Sequence, residues 1–172
     1  MKLFSENIQD LRTLYVTNLQ KALDMEQKIT KALPTMIEKS TDQQLANAFR
    51  THLQETEGHV AKVEAILRRA TGDATTTTCK VIGGLVTEAE DSIKDAADPA
   101  IRDITLIASG QQVEHHEIAV YGTLRSWAEL LGEDSDADVL ESILEEEKNA
   151  DELLSQISDT VNTTADTVPV TR

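Results

Sequence analysis

Four long stretches of this chain repeat their apolar residues at steps of three and four, and each stripe is interrupted by acid. Spacing of that kind places the apolar side chains on one face of an α-helix. On the second stretch, Ala48, His52, Glu55, His59, Val63 and Ile66 share that face. On the fourth, Leu140, Ile143, Leu144, Glu147, Asp151, Leu154 and Ile157 do so. A helix that buries such a stripe should exclude carboxylates, since a buried unpaired charge costs several kcal/mol or is neutralised. Two further acids, Glu26 and Glu114, hold similar inward positions on the first and third stretches.

The organisation follows from the same periodicity. The first helix is expected from Ser5 to Glu38, with Pro34 bending it near its end. Thr41, followed by Gln44 at capping-box spacing, opens a second helix from Asp42 to Ala70. Gly72-Asp73 ends it, and the four threonines 75–78 form a loop. Cys79 to Ala96 forms a shorter helix, the long crossover between two helix pairs. Asp98-Pro99 starts the third long helix, which Gly132 stops after Leu131. Ser135 or Asp136 caps the fourth, which runs to Thr160. The expected fold is all-α: a four-helix bundle with a short extra helix between helices 2 and 3. Residues 1–162 form this single unit, and 163–172 form a flexible tail.

Composition limits the function. Aromatics are only 3% of the 172 residues, so Leu, Ile, Val and Ala must fill the core, which favours helices over a sandwich or barrel. The net charge of −15 repels phosphate backbones and anionic lipid, which excludes nucleic acid and membrane surfaces as expected partners. No apolar run approaches the ~20 residues that span a bilayer. The opening MKLFSENIQD turns polar too early for a signal peptide, and a single cysteine, Cys79, forms no internal disulfide. A cytoplasmic location is expected, with Cys79 as a buried spacer.

Taken singly, Glu26 or Glu114 reads as a residue at the stripe's edge whose carboxylate reaches water. Glu55/His59 and Glu147/Asp151 each set two ligand side chains one turn apart. The six residues Glu26, Glu55, His59, Glu114, Glu147 and Asp151 stand at similar heights on four helices, which describes a two-metal site inside a bundle. Oxygen-rich ligation suits Fe or Mn better than structural Zn. Glu117, one turn from Glu114, is a candidate extra contact. His115 and His116 cannot both point inward, and one of them can orient a ligand. His52 reads as a supporting or solvated residue. Tyr121 reads as core packing with a possible proton-relay role, Trp127 as an anchor for packing or assembly, and Gly110 as a close helix approach below the site.

The stretches LQKALDMEQKITKALPTM, LQETEGHV, QQVEHHEIAVYGT and LEEEKNADELL resemble the YciE/YciF family of ferritin-like proteins, the DUF892 domain. CKVIGGLVTEAED resembles that family's helix between its two hairpins. The resemblance runs from about Leu3 to Ile157. It implies a ferritin-like bundle, a di-metal centre of two Fe ions on the same six residues, a dimer, and a bacterial stress-associated ferroxidase. The centre would consume O2 or H2O2; Mn or mixed Fe/Mn occupancy with peroxide dismutation, or a metal-binding or structural role without turnover, are the alternatives. Ferritin-like proteins use Glu-x-x-His on two helices. Here the gap is four and the second pair ends in Asp151, so the expected set has one nitrogen donor.

Overall fold

The computed structural model describes residues 8–166, which form five helices: α1 (Leu11–Lys39), α2 (Gln43–Thr71), α3 (Lys80–Asp95), α4 (Pro99–Leu131) and α5 (Asp134–Asp166). Short turns fold α1 onto α2 and α4 onto α5 as two hairpins. The hairpins pack α1 against α4 and α2 against α5. Contacts at the ends fix the directions. Arg12, at the start of α1, pairs with Glu133 in the α4–α5 turn at 2.6 Å. At the opposite end, Asp103 near the start of α4 accepts the Thr41 and Asp42 amides of the α1–α2 turn at 2.8 and 2.9 Å. The chain leaves α2 at one end and enters α4 at the other. The loop after Gly72 and helix α3 carry it back along the bundle, with α3 packed on α4 and α1. This is the ferritin-like crossover.

Local chemistry explains the boundaries. Asp98 accepts the Ala100 and Ile101 amides and Pro99 sits in the first turn of α4. Gly72 and Gly132 end α2 and α4 at φ 89° and 72°, a conformation that glycine adopts without strain. Helix α1 continues through Pro34. The crossover loop is tied to α1: Cys79 donates its amide to Asp24 at 2.7 Å, and Lys28 donates to the Cys79 carbonyl at 3.0 Å. Cys79 is buried, as its spacer role requires.

Some ends differ from expectation. Helix α1 starts at Leu11 rather than Ser5, because the Asp10 carboxylate captures the Thr13 amide and caps it there; residues 5–7 lie outside the described range. Asp42, not Thr41, caps α2 by accepting the Gln44 and Leu45 amides, while Thr41 is engaged with Asp103. Neither Ser135 nor Asp136 caps α5. The Glu133 carbonyl accepts the Asp136 and Ala137 amides, and the Asp136 side chain turns inward. Helix α5 runs past Thr160 to Asp166. The first residues of the expected tail are therefore helical, and 167–172 lie outside the described range.

The core is built from Leu19, Leu23, Leu45, Ile66, Leu106, Leu124, Leu140 and Ile143, with Tyr15, Phe49 and Tyr121 as its large aromatics. Trp127 packs half-buried against it. Gly110 meets the expectation of a close approach. A Cβ there would lie 2.9 Å from Leu154 Cδ1 and 3.4 Å from Phe49, so the missing side chain lets both pack under the centre.

Candidate metal centre

Midway along the bundle, the four long helices turn polar side chains into the core. Helix α1 supplies Glu26. Helix α2 supplies His52 and His59, with buried Thr56 between them donating to the His52 carbonyl. Helix α4 supplies Glu114, Glu117 and Tyr121, and α5 supplies Glu147. Glu26, His59, Glu117, Tyr121 and Glu147 are wholly inaccessible to solvent, and His52 and Glu114 nearly so.

These side chains form two groups. His52, Glu114, Glu117 and Glu147 each bring one ligand atom to within 4.8 Å of the others, and so do Glu26, His59 and Glu147. Glu147 belongs to both. His59 Nδ1 lies 2.9 Å from Glu147 Oε1 and 3.8 Å from Glu26 Oε2. His52 Nε2 lies 3.3 Å from Glu114 Oε1, and its Nδ1 lies 3.9 Å from Glu147 Oε2. Tyr121 donates its hydroxyl to Glu26 Oε1.

The other polar atoms are left over. Glu26 Oε2, Glu114 Oε2, both oxygens of Glu117, Glu147 Oε2 and His52 Nδ1 are buried without a hydrogen-bond partner in the protein. Each such atom costs about 1–3 kcal/mol, and more if charged. A core that gathers this many oxygens on one point could hold a cation there. The atoms are hard oxygens with one imidazole per group, a donor set that fits Fe or Mn.

The electrostatics agree. Burial, followed by the Glu147 charge, holds the Glu117 carboxyl well above the usual carboxylate range. Burial also raises Glu26 against the opposing pull of His59. Glu114 is raised to about 8 by burial, with His52 working against it and Glu147 with it. Burial would lower both histidines, but surrounding carboxylates outweigh it: Glu114 chiefly lifts His52 to about 9, and Glu147 and Glu26 lift His59 to about 10. Burial and the adjoining Glu26 push the Tyr121 phenol upward. Without a cation the centre keeps its protons, and a cation would displace them.

Of the six residues expected as ligands, the structure brings Glu26, His59, Glu114 and Glu147 together. Glu55 and Asp151 sit at the margin, both partly exposed. Glu55 is roughly 60° round the helix from His52, so its carboxylate flanks the stripe, 3.8 Å from His52 Nδ1. Asp151 stands ~6 Å farther along α5 than Glu147 and meets His115 Nε2 at 3.0 Å. His115 is exposed, and His116 points away from the centre toward Cys79 Sγ at 3.8 Å. The places at the middle go to Glu117 and His52. His52 supplies a second nitrogen donor from α2, so the absence of a histidine on α5 does not reduce the centre to one.

Glu146 stands beside Glu145 and Lys148 on the polar side of α5, yet it reaches across to α2, where its Oε2 lies 2.6 Å from His59 Nε2, and Lys62 holds its Oε1 at 3.1 Å. This carboxylate fixes the His59 ring so that Nδ1 faces the centre, the arrangement usual for metal-bound imidazoles. Nothing in the sequence marks it, because Glu146 stands on the polar side of α5 and its partner is 87 residues away. Among the described residues no helix is long and apolar enough to cross a membrane.

Comparison with known proteins agrees with the fold and the motifs. The family described as a domain of unknown function, DUF892, matches residues 10–166. Protein YciF of Escherichia coli K12 is 32% identical over 153 residues, 88% of this chain and 92% of that protein. The crystal structure of the E. coli stress protein YciF superposes with a TM-score of 0.86 at 30% identity, covering 91% of this chain and 99% of that one. YcfI from Rhodopseudomonas palustris gives a TM-score of 0.85 at 35% identity over 98% of this chain and 100% of its own. A protein from Xanthomonas campestris pv. campestris, 22% identical with a TM-score of 0.72, shares the fold over 90% of this chain and 94% of its own. With one family matched along nearly its whole length, the chain belongs to DUF892.

Proposed function

We propose that this protein binds two Fe(II) ions at the middle of the bundle and oxidises them, as a ferroxidase or peroxide-consuming oxidase of a bacterial stress response. The observation that carries the reading is the set of buried, partnerless oxygens on two groups that share Glu147. Glu26, His59 and Glu147 would hold one ion; His52, Glu114, Glu117 and Glu147 would hold the other. Glu147 is the bridging candidate. Glu55 and Asp151, at the rim, would draw cations inward from a surface whose charge already attracts them.

Two Fe(II) supply two electrons, which reduce O2 to H2O2, or H2O2 to two waters, with the uptake of two protons in either case. The chain's own residues position ions and hold protons. Glu146 orients His59. Tyr121 keeps its proton on the Oη–Oε1 contact with Glu26 and excludes water from that side. Glu117, whose carboxyl burial and the Glu147 charge hold well above the usual carboxylate range, would give up its proton on binding an ion.

The test is anaerobic Fe(II) loading followed by addition of O2 or H2O2. Two ions bound per chain and oxidation faster than in buffer are expected. No bound Fe(II) would remove the centre, and oxidation no faster than in buffer would leave a metal-binding protein without turnover. Elemental analysis of protein purified without added metal separates iron from manganese, which the same donors accept. The E. coli relative is described as a stress protein, and the stress role proposed here follows that likeness; a cytoplasmic location is proposed from the single cysteine, which forms no internal disulfide. A homodimer belongs to the same reading, and light scattering in solution tests it.

A further inference from the structure

The two halves of the centre are held differently. On one side, Glu146 Oε2 lies 2.6 Å from His59 Nε2, and Lys62 holds Glu146 Oε1 at 3.1 Å. Tyr121 donates its hydroxyl to Glu26 Oε1. Both ligands are thus clamped from behind, and Glu26, His59, Tyr121 and Glu147 have no exposed surface. On the other side such clamps are missing. Neither oxygen of Glu117 has a hydrogen-bond partner, nor has Glu114 Oε2. Behind His52, the Glu55 carboxylate stops 3.8 Å from Nδ1, beyond hydrogen-bond length. Access follows the same division. Two cavities open to solvent adjoin the centre, one in the seam beneath α3 and one in the α2–α5 seam, with volumes of about 70 and 90 Å3. Both are lined by His52 and Glu114, and neither by Glu26, His59, Glu117 or Glu147.

Both cavities exceed the ~15 Å3 that a water needs, so both bring water to the His52 half. Hydrogen bonds behind a ligand hold it in its binding geometry, and losing one costs ~10–100-fold in metal affinity. A ligand without them, standing beside water, can swing aside and be replaced step by step. Glu117 gives this half an additional carboxylate, whose attraction opposes release. Attraction sets how fully a site is occupied, however, whereas exchange needs a path for water and a ligand free to leave, and the His52 half has both. We propose that the centre divides its two ions by role. Glu26, His59 and Glu147 retain one as a resident cofactor. His52, Glu114 and Glu117 hold the one that exchanges with solvent, so that a divalent cation enters there as substrate. The assignment rests on the two-ion reading.

Isotope exchange tests it without turnover. Protein loaded anaerobically with isotopically labelled Fe(II) is mixed with excess unlabelled Fe(II), and the label retained per chain is followed by mass spectrometry. One label per chain should leave at least ~10-fold faster than the other. Glu146→Gln and Tyr121→Phe, which release the clamps on His59 and Glu26, should each speed the slow phase about 10-fold and leave the fast phase unchanged. His52→Ala should remove the fast phase and leave one slowly exchanging ion. If that variant does not fold, Glu117→Gln, of nearly the same shape, should speed the fast phase alone. Two labels leaving at one rate would overturn the assignment, as would clamp variants that speed the fast phase, or His52→Ala or Glu117→Gln acting on the slow one. Fewer than two ions bound by the unmodified protein at saturating Fe(II) would overturn the two-ion reading itself, before any exchange is measured.

Discussion

Asp103 and Asp136 are buried as deeply as many core residues, and so are Glu26, Glu114, Glu117 and Glu147 at the middle of the bundle. The two sets are treated differently. Asp103 accepts the Thr41 and Asp42 amides and the Thr41 hydroxyl. Asp136 takes the Tyr15 hydroxyl at 3.2 Å and Arg69 at 2.7 Å. Both tie helix ends together, and the protein itself provides their partners. The central acids face one another and two histidines, and most of their oxygens accept no hydrogen bond in the protein. Burial alone therefore does not distinguish a structural acid from a ligand. What distinguishes them is whether the fold has already answered the charge.

That contrast can be broken by substitution. Glu147→Ala should have the largest effect on metal, because it removes the residue shared by both groups: affinity should fall by more than ~100-fold and stoichiometry drop below two in anaerobic titration. The metal-free protein should melt no lower, and even higher, since a stranded carboxylate leaves the core. Asp103→Ala should do the reverse. It strands two amides and should cost about 2–4 kcal/mol in denaturant unfolding while metal binding by the folded protein persists. If Glu147→Ala destabilises the metal-free protein as strongly as Asp103→Ala does, the central acids are structural too.

pH sharpens the same comparison. In the metal-free protein Glu114 titrates near 8, His52 near 9 and His59 near 10, against ordinary values of 4.5 for the acid and 6.5 for the histidines. Between ordinary and shifted values the folded state holds protons that the unfolded chain has lost, so stability falls as pH rises. Thermal melts with chelator should drop steadily from about pH 4.5, where the Glu114 window opens, toward 10. Melts of the metal-loaded protein should drop less over that range, because cations have replaced those protons. Equal slopes would mean that no cation enters.

Smaller effects test the margin. Glu146→Gln should weaken metal binding about 10-fold by loosening His59, with no change in stoichiometry. Glu55→Ala should have the least effect, a few-fold loss of affinity or of loading rate, because its carboxylate stands at the rim. A Glu55→Ala loss as large as that of Glu147→Ala would bring Glu55 back among the ligands.

The helices were legible because their signals are local. The Asp98-Pro99 start, the Gly132 stop and the three-four spacing each act within one turn of the chain, and the structure keeps them. Thr41 misled for the opposite reason: its hydroxyl is claimed by Asp103, 62 residues away. The centre was half legible. Glu26, Glu114 and Glu147 announced themselves by interrupting apolar stripes. Glu117 and His52 were visible as candidates, but their rank over Asp151 and Glu55 depends on angles and heights that neighbouring helices set. Glu146 gave no signal at all.

The sequence by itself determined that four long amphipathic helices would form and that acids would lie on their buried faces, because periodicity and capping are properties of neighbouring residues. Only the tertiary structure decided which acids converge. Convergence depends on the relative rotation and height of helices from two hairpins, and a shift of one turn moves a carboxylate by ~5 Å, the difference between sharing an ion and meeting solvent.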